Sequence, residues 1–145
     1  MTSIKLRQVK FFFSLNKFLV LIFLSLVILL AYGNKSVIAI NNDGLLSSCE
    51  RNTNCTLIQF EDKKNIETFT KLVLVASNSP RTTFLKEDQN YWHGIVKSPF
   101  FRFIDDLEIL CIPEQNIIQI KSAARSGIFD LRVNKRRVYN LISKL

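Results

Sequence analysis

The run from Phe18 to Tyr32 is apolar on every helical face and is broken only by Ser25. Lys5, Arg7, Lys10 and Lys17 precede it, so its N-terminal flank is cationic. A core helix of a small soluble domain would carry a polar stripe and would not have such a flank. A spanning helix wants ~20 apolar residues and a signal-peptide core ~7–15, and this run falls between them. Residues 1–39 are therefore expected to be a signal peptide or membrane anchor. Two small-residue sites suit cleavage, Ala31-Tyr32-Gly33 and Val37-Ile38-Ala39. Cleaved or retained, the bias of positive charge toward the cytoplasm leaves the rest of the chain on the far side. The first cysteine, Cys49, lies too far beyond the run for a lipoprotein.

The segment also accounts for most of the basicity. Of the net charge of +8, Lys5, Arg7, Lys10, Lys17 and Lys35 supply five, with no acid before residue 40. The remainder is nearly balanced, so no nucleic-acid partner is expected. Export permits disulfides, and Cys49 and Cys55 flank a polar loop short enough to be bridged. Cys111 reads as a core residue. Three cysteines and a single histidine at wide spacing do not make a zinc site, and neither metal nor cofactor is expected. Asn34 and Asn54 each begin a glycosylation sequon.

Residues 40–62 read as an irregular, Cys-containing segment, and 63–145 as a single α+β domain. Ile66, Phe69, Val73 and Ala76 recur at helical spacing, with Asp62 as cap and Asn78-Ser79-Pro80 as stop. Strands are expected over Thr82–Lys86 and Tyr91–Ser98, with a polar turn between them. The stretch Phe101–Ile112 alternates cleanly. Phe101, Phe103, Asp105, Leu107, Ile109 and Cys111 share one face, and Asp106 and Glu108 share the other. Ile117–Arg125 returns beside it. Pairing Ile112 with Ile117 sets Leu107 against Ser122, Ile109 against Ile120 and Cys111 against Ile118. Glu108 then faces Lys121, and Asp106 lies diagonal to Arg125; opposite charges support this register. A last helix from about Leu131 to Lys144 buries Val138, Leu141, Ile142 and Leu145. The expected fold is a curved antiparallel sheet of about four strands, with an N-terminal and a C-terminal helix on one face, preceded by the N-terminal hydrophobic helix.

Several motifs are specific in combination: Tyr91-Trp92-His93-Gly94, Lys97-Ser98, Phe103-Ile104-Asp105-Asp106-Leu107-Glu108, Lys121-Ser122-Ala123-Ala124-Arg125-Ser126-Gly127, Asp130, and Val133-Asn134-Lys135-Arg136-Arg137-Val138. With Cys49 and Asn54-Cys55-Thr56 matching more loosely, residues 45–145 resemble the domain of unknown function 1499 family. Its members are mostly exported or membrane-associated, and the resemblance brings no catalytic residue with it. Ala124 and Phe129 stand where the family usually has small hydroxyl residues, and Arg132 where it has Gly. These departures bear on the polar character of the 124–132 loop.

The candidate polar cluster comprises His93, Asp105, Asp106, Glu108, Arg125, Asp130, Asn134 and Arg136. Asp106 and Glu108 suit a salt-bridged sheet surface. Asp105 falls at the end of the apolar face, where a carboxylate needs a partner or a proton. Arg136, Arg137, His93 or the amides near Gly127 are the candidates. His93, the only histidine, suits a hydrogen-bonded, half-buried position. Gly127 suits a tight turn, and Asp130 suits a helix cap. An Arg-rich helix start suits an anion or an anionic membrane. No nucleotide-binding or metal-ligand spacing is present. The favoured expectation is a non-enzymatic exported domain for binding or assembly at a membrane. Its partners would be the membrane, reached through residues 11–33, and a membrane protein complex. It would be anchored outside the cytoplasm, or soluble in periplasm or lumen after cleavage. The alternatives are a hydrolase-like enzyme using His93 and Asp105, and a carrier of an apolar ligand between sheet and C-terminal helix.

Overall fold

The computed structural model describes residues 19–22, 25, 40, 41 and 43–145. The chain divides into two units, Met1–Asn34 and Lys35–Leu145. In the first, Leu19–Ile22 and Ser25 are helical, and Ser25 Oγ donates to Ile22 O at 2.7 Å. The rest of the expected hydrophobic helix, both cleavage sites and the Asn34 sequon lie outside the described residues. Among the described residues no helix is long and apolar enough to cross a membrane.

The second unit is α+β. Its elements are β1 Cys55–Glu61, α1 Asn65–Ser77, β2 Thr82–Asp88, β3 Tyr91–Lys97, β4 Ile104–Ile112, β5 Ile117–Ala124 and α2 Val133–Ile142. The sheet is antiparallel throughout, in the order β1-β5-β4-β3-β2. It has five strands rather than about four. The additional strand, β1, lies in the segment expected to be irregular, and Thr56, Ile58 and Phe60 alternate toward the helices there. β2 to β5 form a meander, and β1 joins its far edge beside β5. The β4–β5 register is the expected one, with Ile112 opposite Ile117 and Glu108 opposite Lys121.

Both helices cover the face that carries Leu107, Ile109 and Cys111. Phe69, Leu72 and Ala76 of α1 and Val138 and Leu141 of α2 meet Trp92, Val96, Leu107, Ile109, Ile118 and Ile120 in one contiguous cluster. The apolar residues that would have lined a carrier's ligand site are thus core. The helical stripe is shifted by one position from expectation: Leu72 is fully buried, whereas Ile66 is exposed. Asp62 is not the cap residue either. It sits before Lys64, accepting from Lys64 N at 2.8 Å and Thr68 Oγ1 at 2.6 Å.

β4 begins at Ile104, not at Phe101. Ser98 N donates to Phe103 O and Phe103 N to Ser98 Oγ, both at 2.9 Å, which closes residues 98–103 into a loop. Phe101 and Phe103, expected on the core face, are exposed.

A disulfide joins Cys49 to Cys55, with Cα atoms 5.6 Å apart. It braces the start of β1, from which Thr53 and Asn54 hold the β5–α2 loop. Thr53 Oγ1 donates to Ile128 O at 2.5 Å and Asn54 Nδ2 to Gly127 O at 2.7 Å. The Asn54 amide is therefore a structural tie between β1 and the β5–α2 loop. Replacing Cys55 by Ser is expected to lower stability by about 2 kcal/mol, the chain-entropy value for so short a loop. A denaturant midpoint compared with the parent chain, with and without reductant, checks this.

Candidate functional site

The register sorts the polar residues onto two faces. Trp92, Gly94, Val96, Asp105 and Leu107 face the helices, and Tyr91, His93, Asp106, Glu108 and Lys121 face the other way. His93 and Asp105 therefore lie on opposite sides of the sheet. The hydrolase-like pairing expected of them fails, because no cleft can hold both.

On the helix-free face, Asp106 is the hub. Arg125 grips it in a bidentate pair, Nε to Oδ2 at 2.9 Å and Nη2 to Oδ1 at 2.7 Å. His93 Nε2 lies 2.8 Å from the same Oδ1. An ionised carboxylate only accepts, so Nε2 of His93 is the donor in this contact; Nδ1 is buried with no partner among the described residues. Two residues along β4, Glu108 Oε1 accepts from Tyr91 Oη at 2.7 Å, and Lys121 Nζ stands 4.0 Å from Oε2.

This face was expected to be a solvated salt-bridge surface, but it is buried. His93 has no exposed area and Glu108 is 1% exposed. Part of the cover comes from the segment before β1. Leu46 packs on Tyr91 and Leu110, its N–H donates to Gln119 Oε1 at 2.7 Å, and Ser47 Oγ accepts from Lys121 Nζ at 2.6 Å.

Burial acts on the two carboxylates with opposite results. At Asp106 it pushes the pKa up, but the hydrogen bonds from His93 and Arg125 outweigh it, and the group titrates below the usual range. At Glu108 burial prevails over the Tyr91 bond and the more distant Lys121, and the pKa is raised. Asp105, on the other face, is likewise raised by burial despite Arg137. As pH falls from neutral toward the ordinary carboxylate range, the folded state therefore takes up protons at Glu108 and Asp105 before the unfolded chain does, and stability rises. Through that range and below it the unfolded chain takes up the proton that folded Asp106 refuses, and that part of the stability is lost. A melting-temperature profile against pH should peak in mild acid, and Glu108→Gln should flatten its neutral side.

The helix-facing polar cluster docks α2. Arg137 donates to Asp105 Oδ2 at 2.7 Å, to Ser122 Oγ at 2.7 Å and to Asn134 Oδ1 at 2.6 Å. Asn134 Nδ2 reaches Asp130 Oδ2 at 2.7 Å and Asn54 O at 3.1 Å. Asp130 serves the helix start from two residues ahead of the N-cap, accepting from Arg132 N and Asn134 N at 2.9 Å each. Of Asp105's possible partners, Arg137 is the one that binds. Arg136 is exposed and stands apart from both clusters. Ser122 and Tyr91 complete the two clusters through cross-strand neighbours. No group of three or more His, Cys, Asp or Glu suited to a metal ion occurs among the described residues.

A third feature belongs to one end of the sheet. β1, β2 and β4 start there, and β3 and β5 finish there. The 98–103 and 125–132 loops leave it side by side, joined where Arg125 N donates to Ile104 O at 3.0 Å. Phe100 (88% exposed), Phe101, Phe103, Ile128, Phe129 and Leu131 all project into solvent there.

The family described as Protein of unknown function (DUF1499) matches residues 40–145. The chain belongs to this family. The DUF1499 match begins at Ile40 and so takes in the Leu46 cover and the disulfide along with the sheet and both helices. No curated protein is significantly similar to the chain. Membership in DUF1499 carries no assigned activity.

Proposed function

We propose that residues 40–145 are a non-enzymatic binding domain that works outside the cytoplasm, beside the membrane its N-terminal segment addresses. The observation that carries this reading is the gathering of six large apolar side chains on two neighbouring loops at one end of the sheet. Contiguous exposed apolar surface of this kind marks interaction sites in soluble domains. The ionisable groups support it from the other side: Asp105, Asp106, Glu108 and His93 are buried and occupied with internal partners, as residues that hold a scaffold together would be. The Cys49–Cys55 bridge suits an oxidising compartment, and the cationic, apolar N-terminal run suits export with the membrane as at least a transient partner.

The test places a photo-reactive residue at position 101 or 129 of the full chain in the membranes of expressing cells, with position 74, on the exposed side of α1, as reference. Adducts to lipid or protein at 101 and 129, and not at 74, support the reading. Equal labelling at the three positions, or none at any, overturns it.

A further inference from the structure

We infer that this loop end docks on the surface of an anionic lipid bilayer, with Phe100, Phe101, Phe103, Ile128, Phe129 and Leu131 entering the interface and the neighbouring arginines meeting headgroup phosphates. The inference rests on the loop end being the binding surface and names what it binds.

Charge selects the occupant. Arg81, Arg102 and Arg132 are exposed at this end, and Lys135 and Arg136 follow in the first turn of α2. Asp130 is occupied by backbone amides, and Glu50 in the disulfide loop is offset by its neighbour Arg51. The opposite end of the sheet carries Glu61, Asp62, Glu87, Asp88 and Glu114, interspersed with Lys63, Lys64 and Lys86. An anionic surface would attract the first end, where cations prevail, over the mixed second end, which orients the domain before any apolar contact forms.

The placement of the cations favours lipid over protein. Arg102 lies between Phe101 and Phe103, and Arg132 follows Leu131, so charged and apolar residues alternate within the same exposed loops. The bilayer interface offers phosphates and acyl chain within a few ångströms of each other. Protein interfaces also enrich Arg beside aromatics, but they keep most cations at a rim around the apolar centre.

The loops are also set in advance. Arg81, Arg102, Leu131 and Arg132 all have positive φ, 62°, 54°, 53° and 61°, and they are four of the five such non-glycine residues among those described. Such conformations persist only where the surroundings impose them. Here the surroundings are the Ser98–Phe103 bond pair, the Arg81 Nε bond to Lys97 O at 3.1 Å, and the Thr53 and Asn54 ties to the second loop. The Phe101 and Phe103 rings stack at 5.6 Å between centroids, although both are exposed. A wedge held in this way loses little freedom when it inserts.

The experiment uses the full chain in vesicles with brominated acyl chains, so that the N-terminal segment is present in every sample. Trp92, the only tryptophan, is fully buried and gives a constant background. Phe101→Trp and Phe129→Trp report loop insertion, and Leu74→Trp is the reference. In phosphatidylglycerol–phosphatidylcholine vesicles, residues 101 and 129 should be quenched well beyond residue 74. Phosphatidylcholine alone should give less quenching, and Arg102→Glu in the Phe129→Trp background should lower the docked-to-free ratio about fivefold or more. Quenching no greater than at residue 74 overturns the inference, as does equal quenching in both lipids. If quenching is absent but position 101 forms discrete protein adducts in cell membranes, the lipid assignment fails and the binding reading stands. If both are absent, both fail.

Discussion

Asp106→Ala should destabilise the domain by about 3–5 kcal/mol, the range for removing one partner of a buried ion pair. The substitution deletes little volume, so packing contributes little to the loss. It leaves the Arg125 guanidinium, which loses two charge-assisted hydrogen bonds, and the His93 imidazole, which loses its only partner among the described residues. His93, with no exposed area, cannot turn to water without opening the sheet face. Domains of this size are stable by about 5–15 kcal/mol, so the variant should unfold at much lower denaturant while keeping a similar slope. Trp92 fluorescence in a urea titration of the full chain reads this out. Adding Arg125→Met should recover part of the loss, because an apolar side chain of similar length does not need the carboxylate. A loss below about 1 kcal/mol for Asp106→Ala would show that water reaches this face and that the charges are solvated.

The second large effect centres on Trp92, the largest fully buried side chain. Trp92→Ala should cost about 3–5 kcal/mol through lost burial and the cavity it leaves. Gly94 makes the prediction sharper. A Cβ there would come within 2.5 Å of Trp92 Cη2, 3.0 Å of Cζ2 and 3.1 Å of Thr83 O. The indole lies across the glycine, so the absence of a side chain at 94 is what makes room for the ring. Gly94→Ala alone should therefore cost about 1–3 kcal/mol by overpacking. In a Trp92→Ala background the ring contacts are gone and the same change should cost far less. The coupling from the double-mutant cycle is the diagnostic quantity. Additive losses would place the strain at the Thr83 backbone instead.

The sheet's middle was legible because its two periodicities agree. In β4 and β5 the apolar residues alternate in one phase and the opposite charges in the other, so a single register satisfies both. β1 was passed over because it follows directly on the polar disulfide loop, although Thr56, Ile58 and Phe60 carry the same period-two signal. At the start of β4 the alternation continued into Phe101 and Phe103 after the strand had ended. That boundary is set by the Ser98–Phe103 bonds and the positive φ of Arg102, neither of which leaves a periodic trace. Asp106 and Glu108 were assigned correctly to one face and wrongly to solvent. Their cover includes Leu46 and Ser47, residues with no pattern of their own, and strand alternation cannot show what lies above a face. The exposed loop aromatics were missed because Phe in an alternating stretch reads as core. The positions of Arg102 and Arg132 beside them were the available signal.

The sheet order also governs when this domain can form. β1 comes first in the chain, yet its only strand partner is β5, with Cys55 opposite Ala123. The cluster that fixes the start of β1 closes only when Asn134 reaches Asn54. The meander of β2 to β5 has short-range pairings and can assemble early against α1, but its other face and the rest of its core face stay uncovered until the segment before β1 and α2 dock. A chain emerging N-terminus first thus carries β1 unpaired until β5 has been delivered. Closure of the fold is then a single late event, and oxidation of Cys49 and Cys55 can precede it.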